Sequence, residues 1–180
     1  MGLPLMYQGN STRPIPTETN QPRDSVLSRD VLDQVEAAGQ LYHRLVLVVG
    51  PSDSGKTQAL RAMAQELKLD VINLNLEVSR ALLDLTERER QLKLAEVLGS
   101  IVHDARDPIF LDNTEVLFDV SLKHDPLRLL QGLSRQRTVV ASWNGESDGD
   151  WLTYAEPGHP EFRRLATDGA VTLDPDEVLR

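Results

Sequence analysis

Between residues 24 and 173 the apolar positions follow two alternating rhythms. Leu27, Val31, Val35 and Ala38 are three or four apart, which predicts a helix over 24–38 with Gly39 as its stop. The run LVLVV, 45–49, is aliphatic at every position and predicts a parallel strand buried on both faces. Ala59, Leu60, Met63, Ala64 and Leu67 then share one face of a second helix. In DVINLNL, Ile72, Leu74 and Leu76 alternate with Asn73 and Asn75, a strand pattern. Residues 79–103 read as helix in two pieces, with Thr86 and Glu89 at capping-box spacing. PIFLD, 108–112, predicts a third strand. Asp125 as cap and Pro126 in first position open a helix through Leu127, Leu130 and Leu133. TVVAS, 138–142, is a fourth strand, 159–167 a short helix, and AVTL, 170–173, a fifth strand. Strands alternating with helices predict an α/β fold with a parallel sheet and helices on both faces.

Residues 1–23 lack either rhythm and carry Pro4, Pro14, Pro16 and Pro22 among polar residues, so they are expected to form a flexible tail. Residues 24–180 are expected to form one domain, which suits a chain of 180 residues. The composition is that of a globular protein, with 40% hydrophobic and 26% charged residues. A net charge of −9 argues against a surface that coats nucleic acid. The chain has no cysteine, which excludes disulfides and thiol chemistry. No apolar run is long enough for a bilayer and no signal-peptide layout is evident, so a cytoplasmic protein is expected. His43, His103, His124 and His159 share no ligand spacing, and Trp143 and Trp151 are too isolated to form a base-stacking platform.

The candidate chemistry begins at GPSDSGKT, Gly50 to Thr57, between the first strand and the second helix. The spacing G-x-x-x-x-G-K-[ST] belongs to a Walker A loop, whose backbone N–H groups surround phosphate and whose helix adds its positive end. Gly50 and Gly55 allow close backbone approach, while Ser52, Asp53, Ser54 and Gln58 complete the expected cradle. Lys56 is expected on the β- and γ-phosphates, and the Thr57 hydroxyl on Mg²⁺. IFLDNTE, 109–115, resembles a Walker B segment, with Asp112 holding magnesium through water. The position after Asp112 is Asn113, which cannot take a proton from water, so the candidate base is Glu115, with Glu77 as a weaker rival. At the end of TVVASWNG, Asn144 is the first candidate for orienting water near the γ-phosphate, and Ser142 the second. Arg163 and Arg164, expected at a helix end, are candidate fingers for a neighbouring subunit's nucleotide.

These motifs resemble the AAA+ and RecA-like branch of P-loop NTPases, with one strand between the Walker A and Walker B strands. The arginine pair before the fifth strand is more like AAA+, but the helical lid of a full AAA+ protein is not expected in a chain ending near Arg180. More narrowly, residues 24–178 resemble the BrxF family, small P-loop proteins of type-three BREX bacteriophage-exclusion systems. LVLVVGPSDSGKT, DVINLNLEVSRALLDL, IFLDN and RTVVASWNG carry that resemblance. It implies an ATPase acting with other defence components, including a larger ATPase and a methyltransferase. Two readings follow. One is an oligomeric, Mg²⁺-dependent ATPase; the other is a nucleotide-gated adaptor that binds ATP with little or no hydrolysis. Any role for DNA is expected to be indirect, and no membrane partner is expected. A small-molecule kinase ranks lower because no lid insertion or acceptor site is evident. A GTPase is disfavoured because no N-K-x-D motif occurs.

Overall fold

The computed structural model describes residues 29–180, so the expected tail and the first turn of the predicted helix lie outside the described residues. Helix α1 spans Arg29–Ala38 and buries Val31, Val35 and Ala38, the positions its spacing selected. Strand β1 spans Leu45–Gly50 and is buried throughout. Helix α2, Lys56–Glu66, buries Ala59, Leu60, Met63 and Ala64. Leu67, expected on the same face, is instead its C-terminal cap and 38% exposed.

Strand β2 is shorter than its alternation predicted. It covers Val71–Asn73 and gives way to helix α3, Leu74–Leu82. The Asn73 side chain accepts a hydrogen bond from the Leu76 N–H at 3.0 Å, which caps the helix and ends the strand. Leu74, Val78 and Leu82 are then four apart and buried on one face. Helix α4, Glu87–Val102, begins at the expected capping box: the Thr86 side chain accepts from Glu89 N, and the Glu89 carboxylate accepts from Thr86 N. Two helical pieces therefore occupy the segment, as predicted. Strand β3 is Ile109–Asp112, and two 3-10 turns follow at Thr114–Phe118 and Val120–Leu122. Helix α5 is Pro126–Leu133, with the Asp125 side chain accepting from Arg128 N. Strand β4, Val139–Asn144, continues two residues beyond its predicted end.

The 151–166 region departs from expectation. Residues 163–166 are strand, not helix: β5, Trp151–Tyr154, pairs antiparallel with β6, Arg163–Ala166. The antiparallel ladder sets Leu165 opposite the buried Leu152 and Arg163 opposite the buried Tyr154, pairings that a helix over 159–167 would forgo. Strand β7, Val171–Leu173, and a short helix α6, Pro175–Val178, complete the chain.

Five strands form one parallel sheet in the order β2-β3-β4-β1-β7, and β5-β6 stand apart as a pair. Pleating sends Leu45, Leu47 and Val49 into a core with α3, α4 and α5. Val46 and Val48 point the other way, into a core with α1, α2 and α6. Each fully buried Leu or Val contributes roughly 1.5–3 kcal/mol, so both faces of the sheet are firmly covered. The fold is α/β with helices on both sides of a five-stranded parallel sheet.

The β5-β6 pair is bound to the sheet by aromatic contacts. Phe118 stacks on Tyr154 with centroids 3.5 Å apart and meets Trp143 edge-on at 4.9 Å. The Trp143 Nε1–H donates to the Thr153 carbonyl at 2.8 Å. At Gly145, φ is +151°, and a Cβ there would lie 1.9 Å from the Thr153 oxygen. Gly145→Ala should therefore lower stability in urea by more than about 1 kcal/mol. Gly99→Ala is the control: it sits in α4 with nothing within 4 Å of the added carbon, and should stabilise by up to roughly 1 kcal/mol. Equal midpoints for the two variants would contradict the close approach.

Burial, followed by the negative charges of Glu161 and Glu115, pushes the Tyr154 phenol up to about 12. A raised folded value means this stabilisation is complete below pH 10, the ordinary value, and is lost as pH rises through about 12. Tyr154→Phe should flatten the fall in stability across that window. An unchanged slope in alkaline urea titrations would contradict the assignment.

Candidate functional site

The loop after β1 folds back on itself before α2 begins. A Cβ at Gly50 would come within 2.4 Å of the Ser54 Oγ and 3.1 Å of its Cβ, so a larger residue there would crowd Ser54 and force its side chain to turn. Asp53 and Gly55 both have left-handed backbones, with φ of 63° and 90°. Alternation of this kind turns successive N–H groups toward one concavity. Gly55 caps α2 without a side-chain hydrogen bond, and no acidic residue stands in the helix's first turn. The first N–H groups of α2 and its positive end are thus available to an anion.

Lys56 is only 8% exposed, and its ammonium donates to the Gly50 carbonyl at 2.9 Å and to the Pro51 carbonyl. A longer contact reaches Ser54 Oγ at 3.5 Å. Burial pulls its pKa below the ordinary lysine value, while Glu115, Asp112 and Asp53 oppose that fall. The loop carbonyls hold the cation at the rim of a cleft of about 630 Å³. Residues 52–58 line one side of the cleft, together with Arg61. Asp112, Asn113, Glu115 and Asn144 line the other. The structure thus brings the expected loop, Asp112, Glu115 and Asn144 to one place.

Register explains the convergence. Val46 to Gly50 run beside Val140 to Asn144, and Ile109 to Leu111 beside Val139 to Ala141. The ends of three neighbouring parallel strands therefore open at the same edge. Asp112, 6% exposed, ends β3, and one of its oxygens accepts the Asn113 N–H at 2.9 Å. Asn113 has φ 56°, and its carbonyl accepts from Asn75 N at 3.1 Å. That left-handed turn starts the 3-10 segment carrying Thr114 and Glu115. The buried Thr114 hydroxyl donates to the Ser142 carbonyl at 2.6 Å. The Asn144 amide donates to Glu115 Oε1 at 2.8 Å. Two side-chain bonds thus tie the segment after β3 to β4 and present Glu115 at the cleft, a job its separation of three residues from Asp112 does not reveal.

Other candidates lie elsewhere. Glu77 is in the first turn of α3, bonded to Arg80 at 3.2 Å, and does not line the cleft. Ser142 is 1% exposed and does not line the cleft. Arg163 and Arg164 sit on β6, not at a helix end. Arg163 donates to its own Phe162 carbonyl at 2.8 Å, and the Arg164 guanidinium lies 4.7 Å from the centroid of the Trp151 ring. Neither arginine lines the cleft of its own chain. The sequence reading missed Arg61, which lines the cleft one helical turn beyond Thr57; its i+4 spacing was the available signal.

The chain matches no protein-family model, no curated protein and no solved structure at a significant level. Among the described residues, no helix is long and apolar enough to cross a membrane. The tie between Thr114 and Ser142 gives a test of the site's frame. Thr114→Val should destabilise by about 1–3 kcal/mol, because it strands a buried carbonyl, whereas Thr114→Ser, which keeps the hydroxyl, should avoid most of that loss. Chemical denaturation of both variants reads the difference, and equal stabilities would remove the bond from the account.

Proposed function

We propose that this chain is a P-loop NTPase domain that binds ATP with Mg²⁺ and hydrolyses it to ADP and phosphate. One observation carries the reading: Ser52 to Thr57 of the loop, Asp112, Glu115 and Asn144 line a single cleft at the ends of β1, β3 and β4. The β2-β3-β4-β1-β7 order, with β4 between the two strands that bear the motifs, supports it further. The donor set fits a phosphate and a hard cation. The loop offers backbone N–H groups and one ammonium, while Thr57 and Asp112 offer oxygens.

In this reading the loop N–H groups hold the β-phosphate, and Lys56 exchanges the Gly50 and Pro51 carbonyls for phosphate oxygens. Thr57 and Asp112 would hold the cation in the cleft. Bound Mg²⁺ would neutralise charge growing on the leaving phosphate oxygens. Glu115 takes the proton from the attacking water. Asn144 fixes one Glu115 oxygen through its amide and offers its own carbonyl oxygen to that water. The open cleft leaves charge exposed to solvent, which weakens each Coulomb interaction. Covering by a neighbouring copy, with Arg163 or Arg164 turned from its present contacts toward the phosphates, would raise the rate. Extending the proposal along the BrxF resemblance, this activity would serve a bacteriophage-defence assembly that includes a larger ATPase.

A second reading has its own observation. Asn113 stands after Asp112 with no carboxylate to offer, in a left-handed turn fixed by Asn75. A chain of this kind could bind ATP and change partners with little turnover. Glu115→Gln separates the two. It should leave ATP binding intact and lower turnover by about 10²–10⁴ if Glu115 is the base. If the wild type has no turnover beside its partners, the adaptor reading stands instead. Lys56→Ala should abolish calorimetric binding of Mg·ATP, since a methyl group cannot replace an ammonium aimed at phosphate. Equal titrations for wild type and variant would overturn both readings.

A further inference from the structure

We infer that Ser142 is a positioning residue for Asp112, its hydroxyl donating to the Asp112 carboxylate when that carboxylate holds a divalent cation. The inference rests on Asp112 being the magnesium carboxylate of the proposed site. Along β4, Val139, Ala141 and Trp143 enter the core under α3, α4 and α5, while Val140 enters the core under α1 and α2. Alternation therefore puts Ser142 on the Val140 side, facing α2. Phe110 is paired with Val140 and Leu111 with Ala141, so one step further Asp112 stands beside Ser142. Neighbouring strands are about 4.8 Å apart, so a serine and an aspartate side by side on one face can meet by side-chain rotation alone. On the other flank Ser142 is paired with Val48, which offers nothing polar.

The Ser142 hydroxyl is completely enclosed and has no hydrogen-bond partner among the described residues. Leaving such a group unsatisfied costs about 1–3 kcal/mol, and an alanine there would avoid it. Its nearest polar neighbour in the register has capacity to spare: the Asn113 N–H is the one donor to the Asp112 carboxylate among the described residues. The Ser142 backbone is held by the Thr114 hydroxyl on its carbonyl, so only the side chain has to turn. Outer hydrogen bonds orient the groups that hold a metal ion, and losing one typically weakens metal binding by about 10–100-fold.

The test compares wild type with Ser142→Ala, Ser142→Thr and Asp112→Asn. Mn²⁺ is titrated into each protein at saturating ATP and followed by its paramagnetic resonance, and thermal melts are recorded without cation. Ser142→Ala should weaken Mn²⁺ binding by about tenfold while leaving the melting temperature unchanged or raising it by roughly 2–4 °C. Ser142→Thr, which keeps the hydroxyl, should restore cation affinity. Wild-type affinity in Ser142→Ala alongside a large loss in Asp112→Asn would overturn the role of Ser142 and spare the metal site. Unchanged affinity in Asp112→Asn would overturn the metal assignment itself and this inference with it. A lower melting temperature with unchanged affinity would make the hydroxyl purely structural and also overturn the inference.

Discussion

The parallel pairing of β1 with β4, from Leu45 beside Val139 to Gly50 beside Asn144, is the constraint on which the site depends. β1 is buried throughout and β4 is buried up to Trp143, so neither can slip without turning a core face toward the wrong helices. That register brings the loop glycine and the Asn144 amide to the same sheet edge. β3 joins β4 in a matching register and delivers Asp112 to the same edge. Because β2-β3 and β1-β7 flank this centre, the polar strand ends gather in one cleft while both sheet faces stay apolar.

A second layer of contacts keeps Glu115 in place. The segment after β3 has no regular ladder to fix it. Thr114 bonds to the β4 backbone at one end, and Phe118 packs against Trp143 and Tyr154 at the other. The same Tyr154 belongs to β5, so the β5-β6 pair and the Glu115 segment share one aromatic cluster. A displacement of the pair would thus be felt at the acid and, through Gly145, at the end of β4. This gives a physical route by which something bound on the pair could alter the cleft.

Much of this was legible in the sequence where the signal was local. The aliphatic run of β1, the glycine spacing of the loop and the α2 stripe lie within about twenty residues, and each points to the same strand-loop-helix unit. The Thr86–Glu89 box and the Asp125-Pro126 start were equally readable, because caps are written in adjacent residues. The 70–76 segment misled because Leu74 and Leu76 fit a period of two, whereas Leu74, Val78 and Leu82 fit a helix that buries more. Asn73 decides between them as a cap. The β5-β6 pair was hidden because its ladder joins Trp151 to Ala166 across a Pro- and Gly-punctuated turn. Of the candidate site, the loop and Asp112 follow from motif spacing. The Glu115–Asn144 bond does not, since it joins residues 29 apart through a 3-10 turn that begins with a left-handed asparagine.

The central claim is that one cleft holds the phosphates against the loop and a divalent cation between Thr57 and Asp112. Isotope-labelled protein titrated with ATP carrying substoichiometric Mn²⁺ tests it directly, because paramagnetic broadening falls steeply with distance from the ion. The account predicts that the backbone amides of Thr57 and Asp112 broaden first, with Asn113 and Gln58 close behind and α1 untouched. Broadening centred on any other surface, or none at saturating ATP, would contradict it.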